Sequence, residues 1–198
     1  MKFDQIIFAG DSAGGHLCYS VAYLALLRGF RPPDGIMAAY PAMYTDLNLS
    51  PSALLMIDDW LLSENFMNTV LMSLNRNGGN PSINPLASPL YAPNSLIRLL
   101  PHIVMLNCEG DSLRDGAFLM LLKIMKSEAQ LRPNRVRLFY FKEYIHGFLN
   151  FDIAGGIEEY AYAQKIVMDQ IQILFDRAVS EQDKKIMAQE IKATQLIE

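Results

Sequence analysis

An α/β fold, a mainly parallel sheet with helices on both faces, is predicted for this chain by two observations. Four short apolar runs alternate with stretches of helical spacing, and the first strand-to-helix junction is a run of small residues, Gly10-Asp11-Ser12-Ala13-Gly14. With 198 residues, 51% of them hydrophobic, the chain is long enough for one core in one domain.

The first run, Ile6-Ile7-Phe8, reads as a strand stopped by Ala9-Gly10, and Leu17, Val21, Leu24 and Leu27 then recur at helical spacing until Gly29. After Pro32-Pro33-Asp34-Gly35 comes a buried-type strand, Ile36 to Tyr40, closed by Pro41. Strand, helix, strand implies a parallel crossover. Residues 44–100 carry five of the ten prolines and read as loop and excursion, with one helix at about 60–74. His102 to Asn107 is the third strand. Asp115 to about Gln130 is a helix with Phe118, Leu121, Leu122 and Met125 as its apolar face. Val136 to Phe141 is the fourth strand, and a last helix is expected from about Ile157 to Ala178. The domain is therefore drawn at 1–178, followed by a charged helical extension at 179–198.

Composition excludes several classes. Seventeen Lys and Arg against 21 Asp and Glu leave a net charge of −4, and the basic residues are scattered, so no nucleic-acid partner is expected. No apolar run approaches the ~18 residues of a membrane span, and Met1-Lys2-Phe3-Asp4 lacks the form of a signal peptide. Cys18 and Cys108 lie in apolar stretches without metal-type spacing or a disulfide framework, which fits a reducing compartment. The expected location is the cytosol, and no metal or cofactor is expected.

The small-residue junction fits the G-x-S-x-G pattern, in which a serine is forced into a tight strand-to-helix turn and its neighbours two positions away must be small. The turn would expose Oγ of Ser12 at the carboxyl end of the sheet and present the backbone N–H of Ala13 to an oxyanion. The alternative is a glycine-rich turn with Ser12 as a helix N-cap. A serine hydroxyl needs a base, and in this architecture acid and base follow in the order Ser, Asp or Glu, His. Of the three histidines, His16 lies on the helix leaving the turn and His102 opens a strand. His146, in Tyr144-Ile145-His146-Gly147-Phe148 after the last strand, is where a base would hang. The loop after the third strand offers Glu109, Asp111 and Asp115. Asp111 is favoured for its place in the loop, Asp115 reads as the cap of the next helix, and Glu109 follows the strand end directly.

With Gly10-Asp11-Ser12-Ala13-Gly14-Gly15, Asp111-Ser112-Leu113-Arg114-Asp115 and His146-Gly147-Phe148 in order, the chain resembles the hormone-sensitive lipase family of α/β-hydrolases over residues 1–178. The segments from Pro33 to Ala42 and from Asn84 to Pro93 resemble its eukaryotic members. The resemblance implies Ser12 as nucleophile, Asp111 as acid and His146 as base. It implies hydrolysis of acylglycerols and sterol esters in the cytosol and at lipid droplets. Three departures are evident. The spacing from Asp111 to His146 is longer than usual for the family, and only about Asn75 to Ile83 stands where animal members carry a regulatory insertion. The family's His-Gly-Gly-Gly loop lies before the elbow, whereas this chain starts 11 residues before Ser12. The expectation is a C-terminal part of the fold without front strands, glycine loop or cap, its first strand left as a bare edge that takes an upstream segment or a second copy. A truncated or partner-dependent subunit and a short-chain carboxylesterase remain the alternatives.

Overall fold

The structure is a computed structural model that describes residues 5–45, 50–59, 61–74, 80–128, 135–151 and 158–176. Its frame is a four-stranded sheet of β1 (Ile7–Asp11), β2 (Gly35–Ala39), β3 (His102–Gly110) and β4 (Val136–Ile145). The strands lie in the order β1-β2-β3-β4, and every pairing is parallel. The helices are α1 (Ala13–Leu27), α2 (Pro51–Leu55), α3 (Glu64–Leu74), α4 (Asn94–Arg98), α5 (Arg114–Glu128) and α6 (Glu158–Asp176). The extension drawn at 179–198 lies outside the described residues.

A sheet buried on both faces needs strands that are apolar throughout, and β2 is buried at every position. Ile36 and Ala38 of β2, with Ile103 and Met105 of β3, face a core closed by α1, α4 and α5. Met37, Ala39, Val104, Leu106 and Cys108 point the other way, toward Phe148 and α6. Arg135, buried just before β4, donates to the carbonyls of Ile97, Arg98 and Leu100 at and just beyond the carboxyl end of α4.

Three sequence expectations are corrected. The first strand does not stop at Ala9-Gly10; it runs through Asp11, so the first two residues of the small-residue motif are strand. On α1 the buried side is Cys18, Tyr19, Ala22, Tyr23 and Leu26, while Leu17, Val21 and Leu27 are exposed. On α5 the buried stripe is Leu113 (just before the helix), Ala117, Met120 and Ile124, while Leu122 and Met125 are exposed. Both helices are apolar on more than one side, so spacing alone offers two stripes, and packing against the sheet chooses between them. The first unchosen stripe has a neighbour: Leu17 and Val21 of α1, with Ile7 and Phe8 of β1, line an open apolar groove of about 420 Å³ along the β1 edge. Residues 44–100 contain no strand among the described residues, in line with the expected excursion.

Candidate active site

Each strand hands over one residue immediately beyond its carboxyl end: Ser12 after β1, Tyr40 after β2, Asp111 after β3 and His146 after β4. In open parallel sheets ligands bind at that end. Ser12 has φ 53° and ψ −118°, outside the helical region although it precedes α1 directly, and its backbone N–H donates to the Ala39 carbonyl at 2.9 Å. Ser12 occupies the N-cap position, yet its side chain caps nothing. The N-cap alternative therefore fails. Its Oγ instead meets Nε2 of His146 at 2.8 Å, and Nδ1 of the same ring meets Oδ2 of Asp111 at 3.0 Å.

The elbow's steric rule is narrower than the motif suggests. A Cβ on Gly10 would stand 2.5 Å from the backbone of Gly14, and one on Gly15 would stand 2.9 Å from Pro41. On Gly14 it would meet only an oxygen of Asp11 at 4.0 Å. Gly10→Ala is expected to lose folded protein or reactivity at Ser12, whereas Gly14→Ala should keep both, as read by thermal melting and probe labelling. Equal behaviour of the two variants would refute this reading of the turn. Ala13 opens α1, so its N–H belongs to the first turn, whose donors have no intrahelical acceptor.

Asp111 is fully buried, and its second oxygen, Oδ1, accepts the Leu113 N–H at 2.8 Å. The thiol of Cys108, on β3 and fully buried, donates to Oδ2 at 3.6 Å. Burial, with the Asp111 charge adding to it, holds that thiol well above the ordinary cysteine range, so it stays a donor. Sequence reasoning saw Cys108 only as a buried thiol; three residues before Asp111 at the same strand end, its position was the available clue. A register shift between Cys108 and Gly110, where Glu143 of β4 takes φ 63°, lies where the two strands reach the site.

Asp115 does have the helix-end role expected of it, on a different helix. Its carboxylate accepts the Ser52 N–H at 2.8 Å and the Ser50 hydroxyl at 3.4 Å, tying down the start of α2. Glu109 is exposed and accepts the Glu143 N–H at 3.1 Å. His16 bridges the carbonyls of Ala42 and Leu86, at 2.9 and 3.1 Å, and His102 opens β3 at the opposite end of the sheet. Beside His146 a cleft of about 240 Å³ is walled by Leu55, Met56, Leu61 and Ile145, with Asp58 and Asp59 also lining it.

The fold has counterparts among known proteins. Residues 1–150 match the family model described as the alpha/beta hydrolase fold. The chain belongs to that family. Over 59 residues, 30% of the chain, it is 56% identical to hormone-sensitive lipase of Homo sapiens and 54% identical to that of Bos taurus. The matched stretch is 6% and 8% of those two proteins. Among solved structures, carboxyl esterase 2 of Tuber melanosporum superposes with a TM-score of 0.73 at 20% identity, covering 85% of this chain and 52% of the esterase. Brefeldin A esterase, described as a bacterial homologue of human hormone sensitive lipase, gives 0.67 at 22% identity, covering 87% of this chain and 48% of its own. This member of the family thus spans about half the length of the solved esterases it resembles. Among its described residues no helix is long and apolar enough to cross a membrane.

Proposed function

We propose that this chain carries the catalytic centre of a serine ester hydrolase acting on neutral, apolar esters such as acylglycerols and sterol esters. The observation that carries the reading is the unbroken line of hydrogen bonds from Ser12 through His146 to buried Asp111, at 2.8 and 3.0 Å. In the proposed reaction Nε2 of His146 takes the Ser12 proton as Oγ bonds to the acyl carbon, and the carbonyl π electrons move to oxygen. The Ala13 N–H donates to that oxyanion. Collapse expels the alkoxide, which takes the proton from His146, and a water deprotonated by His146 then releases the acid and frees Ser12. Asp111 keeps Nδ1 protonated and stabilises the imidazolium.

The cleft beside His146 supports a neutral substrate, because its walls are mostly apolar and its two carboxylates repel an anionic one. Leu54, Leu55 and Ile57, exposed on and just after α2, fit contact with a lipid-droplet surface reached from the cytosol. The test is hydrolysis of a nitrophenyl ester series. Rates should rise from acetate toward medium-chain acyl groups, and a peak at acetate would return the short-chain carboxylesterase reading.

A second reading, a site completed by another polypeptide, is favoured by the β1 edge, which pairs with no further strand among the described residues, and by the apolar groove beside it. Under it the 198-residue chain by itself self-associates through β1 and turns over at least ~10²-fold more slowly than with the completing polypeptide, a difference of about one oxyanion donor. Light scattering on the chain and on Val21→Lys, an exposed residue lining the groove, which should be monomeric, checks it. A monomeric wild-type chain with turnover of ~10 per second would refute this reading.

A further inference from the structure

The imidazole hangs from the opposite edge of the sheet to the hydroxyl it meets. Ser12 follows β1 and His146 follows β4, three strand spacings or about 14 Å away, yet the imidazole reaches back to within 2.8 Å of the hydroxyl. Something must hold it there, and the fourth residue at the strand ends is suitably placed. Tyr40, after the strand between those of Ser12 and Asp111, is 1% exposed and has φ 33°, a backbone that a side-chain-bearing residue rarely adopts. Its backbone N–H continues the ladder to the Leu106 carbonyl at 2.7 Å. Its ring stands 4.8 Å from the imidazole, tilted by 60°, and 5.3 Å from Phe148, two residues after the base. The hydroxyl donates to Oδ2 of Asp11 at 3.3 Å, and Nδ2 of Asn150, four residues after the base, donates to the same oxygen at 2.9 Å. Asn150 also reaches the Tyr40 hydroxyl at 3.4 Å. Asp11 is the residue before Ser12. The loop bearing the base is thus tied to the elbow bearing the hydroxyl, with the Tyr40 ring beside the imidazole.

Resting on the serine-hydrolase reading above, we propose that Tyr40 and Asn150 are positioning residues that hold His146 over Ser12 by anchoring its loop to the Asp11 carboxylate. Neither touches a reacting atom; both act through the imidazole's place. The role should therefore show in kcat and not in KM.

The test uses the full chain and two readouts: the second-order rate of Ser12 modification by a fluorophosphonate probe, and nitrophenyl butyrate kinetics. Tyr40→Phe and Asn150→Ala are expected to lower both the modification rate and kcat about fivefold each, with KM unchanged and denaturation midpoints near wild type. Tyr40→Leu, which removes the ring, should cost about 10²-fold. Asp11→Asn and Asn150→Asp should each be slow alone. The Asp11→Asn/Asn150→Asp pair, which reverses donor and acceptor, should recover to within about twofold of wild type, a rescue that general loosening would not give. If wild-type Ser12 reacts and Tyr40→Phe, Asn150→Ala and Tyr40→Leu react equally fast, the positioning role is overturned and the hydrolase reading stands. Rates that fall only in proportion to unfolded protein likewise overturn it. If wild-type Ser12 does not react at all, the hydrolase reading fails and takes this proposal with it.

Discussion

Ser12→Ala is expected to abolish fluorophosphonate labelling of the chain and to lower ester turnover by about 10⁶-fold, the loss typical when a nucleophile acting as one unit with its base is removed. The variant should fold, because the Ser12 side chain caps nothing in α1 and the elbow's tie to β2 is made by the backbone N–H. Peptide mapping of the wild-type adduct should place it on Ser12. Label recovered at Ser20 or Ser112, or persisting in Ser12→Ala, would remove the basis for the proposed reaction. Ser20 is a fair control, since its hydroxyl is already engaged with the Leu86 carbonyl at 2.7 Å.

Asp111→Asn should cost about 10⁴-fold in turnover with little change in melting temperature, because an amide in place of the carboxylate lets the imidazole settle in the wrong tautomer. Asp115→Asn should do the reverse. Its carboxylate tethers the start of α2 through Ser50 and Ser52, so its loss is expected to cost about 1 kcal/mol, a few degrees in the melt, with turnover near wild type. Two aspartates four residues apart are thereby separated by two independent measurements, and an exchange of the two outcomes would reassign the acid.

Much of this was legible in the chain because parallel α/β architecture writes itself in blocks. Each buried strand is a continuous apolar run, and each site residue follows the end of one, so Ser12, Asp111 and His146 could be named from their order and places in the loops. What could not be read has physical causes. Along α1 and α5 apolar residues occupy more than one side, so Leu17 and Val21 pass for core until the sheet is in place. The partner of Asp115 lies more than 60 residues away, on a helix of five residues, and no local pattern reports it. Tyr40 lies in the family-like segment from Pro33 to Ala42, which gave it no role; only the positions of its neighbouring strands make its ring a neighbour of the imidazole.

The all-parallel strand order also sets when reactivity can arise. Ser12 and His146 are 134 residues apart, and no hairpin brings any pair of strand ends together early, so each step across the sheet closes a long loop first. Ser12 and His146 come from opposite edges of that sheet. A partly formed sheet, with β4 still unpaired, has an ordinary serine hydroxyl of no special reactivity. Probe reactivity at Ser12 is therefore expected to report the docking of β4, and a folding intermediate that has built only β1, β2 and α1 should stay chemically silent.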